Sequence, residues 1–264
     1  LLVHCVSVEI LRLSAYHLEY WQSGLHLLPE LAAWDDVSQT IIVADLHLGK
    51  VASFQDSGIP LPEGPDEATL LRLGQLVDSH SAQRVLVLGD VFHARKPNLE
   101  QVLQLLREWH EERPYVQWLI VPGNHDRRVP WQEWMPWAQI LAEGAMLGPW
   151  LVYHHPPEHI SLDVKVLRLA GHLHPGVELG PSSMTKLRSK CFWLKNQTLI
   201  FPAFGDFTGL EILKREPGER VWVTVHDKVV ELPEVDWTKL RKRARSYLPK
   251  TGAATHTHSP HFHS

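Results

Sequence analysis

The chain has 264 residues, 44% of them hydrophobic and 21% charged, an ordinary balance for a soluble globular protein, and no stretch approaches the roughly 18 uninterrupted apolar residues of a membrane span. The formal net charge of −4 is uneven: residues 237–264 carry six basic and no acidic side chains, leaving 20 basic against 30 acidic in residues 1–236, a balance of −10 that excludes a generally basic nucleic-acid binder. Two cysteines, Cys5 and Cys191, exclude a disulfide framework and suit a reducing cytoplasm.

The opening LLVHCVSVEILRL is apolar but lacks a basic leader and an evident cleavage site, so it is read as an N-terminal extension over residues 1–15 and not as a signal peptide. From residue 40 onward short apolar, β-rich runs recur at lengths that fit buried strands: Thr40–Ala44, Arg84–Leu88, Val116–Val121, Trp150–Tyr153, Val166–Ala170, Leu199–Ala203 and Val221–Val225. Helical patterns separate the first three. One spans Asp66–Ser79, with Leu70, Leu73, Leu76 and Val77 at helical spacing. The other spans Asn98–Trp109, where Asn98 and Gln101 form a capping signature and Val102, Leu105, Leu106 and Trp109 mark the apolar face. Strand and helix alternate in the first half, which predicts an α/β fold with crossover connections, and the second half is richer in strands. After Asp236 the chain turns basic and then rich in Thr, Ser and His, and residues 250–264 read as a disordered tail.

The residues that follow these strands carry the chemistry. TIIVA is followed by Asp45-Leu46-His47, RVLVL by Gly89-Asp90, and VQWLIVP by Gly123-Asn124-His125-Asp126. PWLVY is followed by His154-His155, and VLRLA by Gly171-His172-Leu173-His174. A single histidine at a strand end is usually a polar residue meeting solvent, but five strand ends in succession carrying such groups predict convergence, because α/β sheets bind ligands outside the carboxyl ends of their strands. Imidazole, carboxylate and carboxamide donors suit divalent Mn, Fe or Zn, and the absence of thiolates argues against a structural zinc site. Two metals about 3.5–4 Å apart can clamp a phosphate and lower the pKa of a bound water, which is what hydrolysis of a phosphate ester requires.

The order D-x-H, G-D, G-N-H-D, H, G-H-x-H is similar to that of the calcineurin-like metallophosphoesterases, over about residues 16–210. The resemblance implies an α/β fold of two packed mixed β-sheets flanked by helices, with a catalytic domain over residues 1–236 and a basic, then His-rich, tail over 237–264. It implies two divalent metal ions, Mn2+ first, with Fe, Zn or Ni as alternatives. By matched motif, Asp45, His47 and His174 hold one metal, Asn124, His154 and His172 the other, and Asp90 bridges. His125 approaches the phosphate and helps protonate the leaving oxygen, and Asp126 orients its imidazole. Of the adjacent pair His154 and His155, the residue directly at the strand end, His154, is favoured. The common G-D-x-x-D pattern reads here Gly89-Asp90-Val91-Phe92-His93, which makes His93 a support for the ligands. The stretches ADLHLGKVASFQDSGIPLPEG, GDVFHAR, CFWL and PAFGDFTGL resemble the bacterial PdeM-type, ligase-associated DNA damage-response endonucleases. That branch implies phosphodiester cleavage, DNA as a substrate, and association with a ligase/helicase repair system in the cytoplasm.

Several further features have a plain structural reading beside a functional one. Lys50, Arg95, Lys96, Arg127 and Arg128 follow the motif loops and could steer phosphate, or could be solvated charges. Trp131, Trp134 and Trp137 could stack on bases, but packing is the stronger expectation. Phe204–Gly209 reads as a structural turn, Cys191 as a packed residue, and the basic run Lys239–Arg245 as a solvated helix or a nucleic-acid contact. His256, His258, His261 and His263 would bind metal only adventitiously. Two other functions compete with nucleic-acid cleavage: hydrolysis of small phosphate esters or nucleotides, and a metal-binding scaffold without catalysis.

Overall fold

The computed structural model describes residues 16–18, 24–50, 64–93, 99–159, 166–179, 187–206 and 208–234. The N-terminal extension, Arg95, Lys96, the capping residue Asn98, Phe207, the basic run and the His-rich tail lie outside the described residues. Contact clustering divides the chain into two units, Leu1–Leu232 and Pro233–Ser264, and all that follows concerns the first.

Its first half begins with strands β1 (Tyr16–His17), β2 (Leu25–Leu28), β3 (Ala32–Asp35) and β4 (Thr40–Val43), then helix α1 (Pro65–His80). It continues through β5 (Arg84–Val87), α2 (Leu99–Glu112), β6 (Gln117–Ile120), the short α3 (Trp131–Trp134) and β7 (Ala138–Ile140). The second half adds β8 (Ala145–Leu147), β9 (Trp150–Val152), β10 (Leu167–Ala170), β11 (Pro175–Leu179) and β12 (Leu187–Lys195). It closes with β13 (Thr198–Ile200), β14 (Glu211–Ile212), β15 (Arg220–Val225) and β16 (Lys228–Glu231). β1 to β7 form one seven-stranded sheet in chain order, and the other nine strands form a second sheet whose main path runs β14-β11-β12-β13-β10-β9-β8. Both sheets are mixed: β4, β5, β6 and β7 run parallel to one another, as do β9, β10 and β13, while β3–β4, β8–β9 and β12–β13 are antiparallel.

The strand period of two decides where each residue goes. Ile41, Val43, Val85, Val87, Trp118 and Ile120 face one way, into a core shared with Leu70, Leu73 and Val77 of α1 and Leu106 and Trp109 of α2. The alternating Ile42, Leu86, Leu88, Leu119 and Val121 face the other way, onto Leu167, Leu169, Phe192, Leu199, Phe201 and Trp222 of the second sheet. Strands buried on both faces read as continuous apolar runs, which is why TIIV and RVLV show no alternation. The helix bounds follow local chemistry. α1 opens on Gly64 at φ 103° with Pro65 and the acids Asp66 and Glu67 in its first turn, and it stops at Ser81 in the left-handed region. In α2 the buried face includes Leu103, while Leu105 is only partly buried, so the stripe is shifted from the spacing expected.

The packing brings parallel strand ends from both sheets to one edge. Backbone bonds stitch the loops there. Asp45 donates to the Gly89 carbonyl at 3.0 Å and His47 to that of Asp90 at 2.9 Å. Across the two sheets, Phe204 donates to Ala44 at 2.8 Å and Gly205 to Asp45 at 3.1 Å.

Candidate metal centre

Five of the residues at this edge hold left-handed backbone: Asp45 at φ 54°, His47 at 48°, Asp90 at 51°, His172 at 72° and His174 at 46°. Such φ values are uncommon for residues with side chains and cluster where the surrounding structure enforces them for function. The glycines beside them supply room. A Cβ on Gly89, itself at φ 84°, would lie 2.0 Å from His154 Nδ1, and one on Gly123 would lie 2.1 Å from Asp90 Oδ1.

Asp90, Asp45 and His154 each have one polar atom tied back to the backbone and another presented inward. Asp90 Oδ1 accepts the His125 backbone N–H at 2.9 Å. Its Oδ2 stands 3.6 Å from His154 Nε2, 3.9 Å from His47 Nε2 and 4.0 Å from His125 Nε2. Asp45 Oδ2 accepts the His172 N–H at 2.9 Å, while Oδ1, buried and without a hydrogen-bond partner, lies 3.4 Å from His174 Nε2. His154 Nδ1 donates to the Leu88 carbonyl at 2.9 Å, which fixes the tautomer and leaves Nε2 as an acceptor 3.2 Å from Asn124 Oδ1. His47 Nδ1 meets His93 Nδ1 at 3.3 Å, and its Nε2 faces His174 Nε2 at 3.1 Å.

The electrostatics of the protein alone are unfavourable there. Asp45 is fully buried and Asp90 is 2% exposed. Burial, and then the charge of Asp45, push the Asp90 carboxyl up. Burial, followed by His174, pushes His47 down to about 2, so its imidazole is neutral with a lone pair available. His154 and His172 are also lowered, by burial first. Two buried carboxylates, neutral imidazoles with lone pairs turned inward and one unpartnered buried oxygen are what divalent cations would satisfy. Two sets whose donor atoms lie within 4.8 Å of one another are Asp45, His47, His174 and Asp45, Asp90, His154. A third is His154, His155, His172, and a fourth His47, His93, His125. The residues present therefore fit a pair of divalent metals, and no thiolate takes part.

The adjacent histidines differ in burial. His154 is fully buried at the centre, whereas His155 is exposed and its Nδ1 lies 2.8 Å from Glu143. His125 is the open ring of the group, 38% exposed, and stacks on His93 with centroids 4.8 Å apart.

One expectation is corrected. Asp126 does not reach the His125 imidazole. It is 1% exposed, and its two oxygens accept the backbone N–H groups of Gly123 at 2.9 Å and of Val91 and Phe92 at 3.2 Å. A carboxylate that accepts three backbone amides ties the β5 and β6 loops together instead of orienting the ring. Arg127 and Arg128 are exposed. Lys50 is partly buried, with its pKa lowered by burial against the pull of Asp90. Trp131 and Trp134 pack on Phe92, and Trp137 stacks on His110 at 4.5 Å, so all three serve the core.

Sequence reading passed over Lys190 and Arg72. Lys190 Nζ donates to the Ala203 and Gly205 carbonyls, both at 2.7 Å, and Arg72 donates to the carbonyl between them, Phe204. Burial lowers Lys190 to about 8. These two cations clamp the segment that hydrogen-bonds to Ala44 and Asp45. The signal was a lysine beside the apolar run Cys191–Leu194, where a charge needs a buried partner.

The model of the calcineurin-like phosphoesterase family matches residues 39–260 of the chain. Among solved structures, the nuclease MPE of Pseudomonas putida aligns with a TM-score of 0.68 at 28% identity, covering 82% of this chain and 100% of that one. No curated protein matches the chain.

Proposed function

The chain belongs to the calcineurin-like phosphoesterase family and is a metal-dependent phosphoester hydrolase, and from that premise we propose that it cleaves phosphodiester bonds, with DNA as the foremost substrate. The observation that carries the proposal is the convergence of strand-end loops from both sheets on Asp90 Oδ2, with His125 as the open ring beside it. The likeness to nuclease MPE over that protein's whole length supports a nucleic-acid substrate. The PdeM-type stretches extend the proposal to a place beside a DNA ligase/helicase repair system in the cytoplasm. Among the described residues no helix is long and apolar enough to cross a membrane.

Asp45, His47 and His174 would hold one metal, and Asn124, His154 and His172 the other. Asp90 would serve both. Two divalent ions so held, Mn2+ foremost, supply charge relief on the phosphate and a nucleophilic water at neutral pH. The chain's own residues do the rest. His93 faces the Nδ1 of His47 and so sets the direction of that imidazole. His125 Nε2, 4.0 Å from Asp90 Oδ2 and open to solvent, delivers a proton to the leaving oxygen. Asp126 positions His125 through the backbone. Arg127, exposed two residues after His125, is proposed to meet phosphate, and Arg95 is proposed for the same task from its place in the sequence.

The test uses the full chain with His256, His258, His261 and His263 replaced by Ala, stripped of metal and resupplied with Mn2+. Cleavage of bis-p-nitrophenyl phosphate, p-nitrophenyl phosphate and single-stranded DNA is compared, with Asp90→Asn as control. Metal-dependent cleavage of the diester and the DNA, lost in Asp90→Asn, is the expected result. Cleavage of the monoester alone would replace the proposal with a small-molecule phosphatase, and metal binding without turnover would replace it with a scaffold.

A further inference from the structure

Beside the metal centre lies a cavity of about 730 Å3 that the reaction chemistry leaves unused. Its position follows from two loops. Pro156 and Pro157 come directly after His155, and Leu173 stands between His172 and His174, so the cavity begins one residue away from the centre on two sides. Its floor is the outer face of the second sheet. Trp193 pairs with Ile200 and Lys195 with Thr198 across β12 and β13, and all four line it, while the alternating Leu194 and Leu199 point into the core between the sheets.

Two features make this floor a built site. The Trp193 indole is held in place, with Nε1 donating to Glu219 Oε2 at 3.0 Å, so its ring is a fixed platform, over which the flexible Lys195 ammonium sits 5.2 Å from the centroid and must swing aside for a base to stack. Thr198 is 2% exposed, yet its hydroxyl oxygen has no hydrogen-bond partner. A buried hydroxyl without a partner costs free energy that a ligand with a donor or acceptor would recover. The size falls in the range of small-ligand sites, and a mixed wall of proline, indole and isoleucine with a few polar groups suits a flat heteroaromatic ring.

We propose that this cavity takes one unstacked nucleobase of the substrate, on the nucleotide next to the phosphate being cleaved, stacked on Trp193 and hydrogen-bonded by Thr198. The inference rests on the phosphodiesterase reading and deepens it. A base must leave its own stack to enter, so the enzyme prefers single-stranded to duplex substrate.

The experiment measures, on the metal-loaded enzyme, the ratio of kcat/KM for the p-nitrophenyl ester of thymidine 5′-monophosphate to that for methyl p-nitrophenyl phosphate. In parallel, calorimetry follows thymidine 5′-monophosphate binding to the metal-free full-length chain. Trp193→Leu is expected to lower both the ratio and the affinity about tenfold, the order of one base–aromatic stack. Thr198→Val, isosteric and so safe for folding, is expected to lower both about threefold, the order of one hydrogen bond. Circular dichroism verifies that Trp193→Leu is folded, and if it is not, Thr198→Val decides alone. A ratio unmoved by the folded variants overturns the proposal. If the wild type hydrolyses neither ester, the phosphodiesterase reading fails and the binding arm still decides: nucleotide affinity weakened by the variants upholds the cavity's role, and unweakened affinity overturns it.

Discussion

Asp45, Asp90 and His154 each keep one side-chain atom for the fold and offer the other to the centre. His154 gives Nδ1 to the Leu88 carbonyl and presents Nε2, whereas the next residue, His155, is exposed and engages Glu143 through Nδ1. His154→Ala is accordingly expected to cut Mn2+-dependent turnover by about a hundredfold or more, and His155→Ala to leave it nearly intact, as steady-state kinetics on a diester substrate will show. Proton uptake offers a second check. Burial first, and then nearby cations such as Lys50, hold His93 at about 4, and burial holds His47 at about 2, against about 6.5 for a free imidazole. The unfolded chain therefore binds protons that the folded, metal-free protein refuses. The stability these residues contribute is complete above about pH 6.5 and drains away as pH falls toward 4. Asp90 and Asp126, raised by burial, act in the opposite sense in the carboxylate range, so the loss is steepest just below 6.5. Urea unfolding of the metal-free protein should show a lower midpoint at pH 5.5 than at pH 7.5, and a shallower dependence in His93→Asn.

At the scale of elements, the centre is a set of strand ends locked to one another. Asp126 carries the lock between the loops after β5 and β6 through three backbone amides. An asparagine there keeps one acceptor oxygen and turns an NH2 group toward donors. Asp126→Asn should destabilise the protein by about 1–3 kcal/mol, read by denaturant unfolding, and should lower turnover through the displaced His125 loop. Gly123 does similar work by absence: a methyl there would overlap Asp90 Oδ1 at 2.1 Å. On the second sheet the lock is cationic. Lys190 and Arg72 hold three successive carbonyls, Ala203, Phe204 and Gly205, beneath the Asp45 loop.

At the scale of the molecule, two sheets pack face to face and the parallel strand ends of both reach one edge. That edge concentrates buried carboxylates whose mutual repulsion the His125 and His172 amides only partly relieve. Metal should therefore act as a folding ligand. At a hundred times its dissociation constant a divalent ion adds about 2.7 kcal/mol, so the unfolding midpoint of the metal-stripped protein should rise by about 5–10 °C on adding Mn2+. The rise should vanish in Asp90→Asn, as differential scanning calorimetry will show.

The strands TIIV, RVLV and QWLI, the two helices between them and the family's order of Asp, Asn and His residues were legible in the chain itself, because each depends on local periodicity or on residues at strand ends close in sequence. The different burial of His154 and His155 was not legible, since both stand at the same strand end. Other features could not be read from the sequence. The second sheet's share in the site, the amide-bound state of Asp126, the Lys190 and Arg72 clamp and the cavity over Trp193 and Thr198 all join residues far apart in the chain. Periodicity reports which face of an element is buried, but not which other element buries it. Those partnerships exist only once the two sheets have closed on their common core.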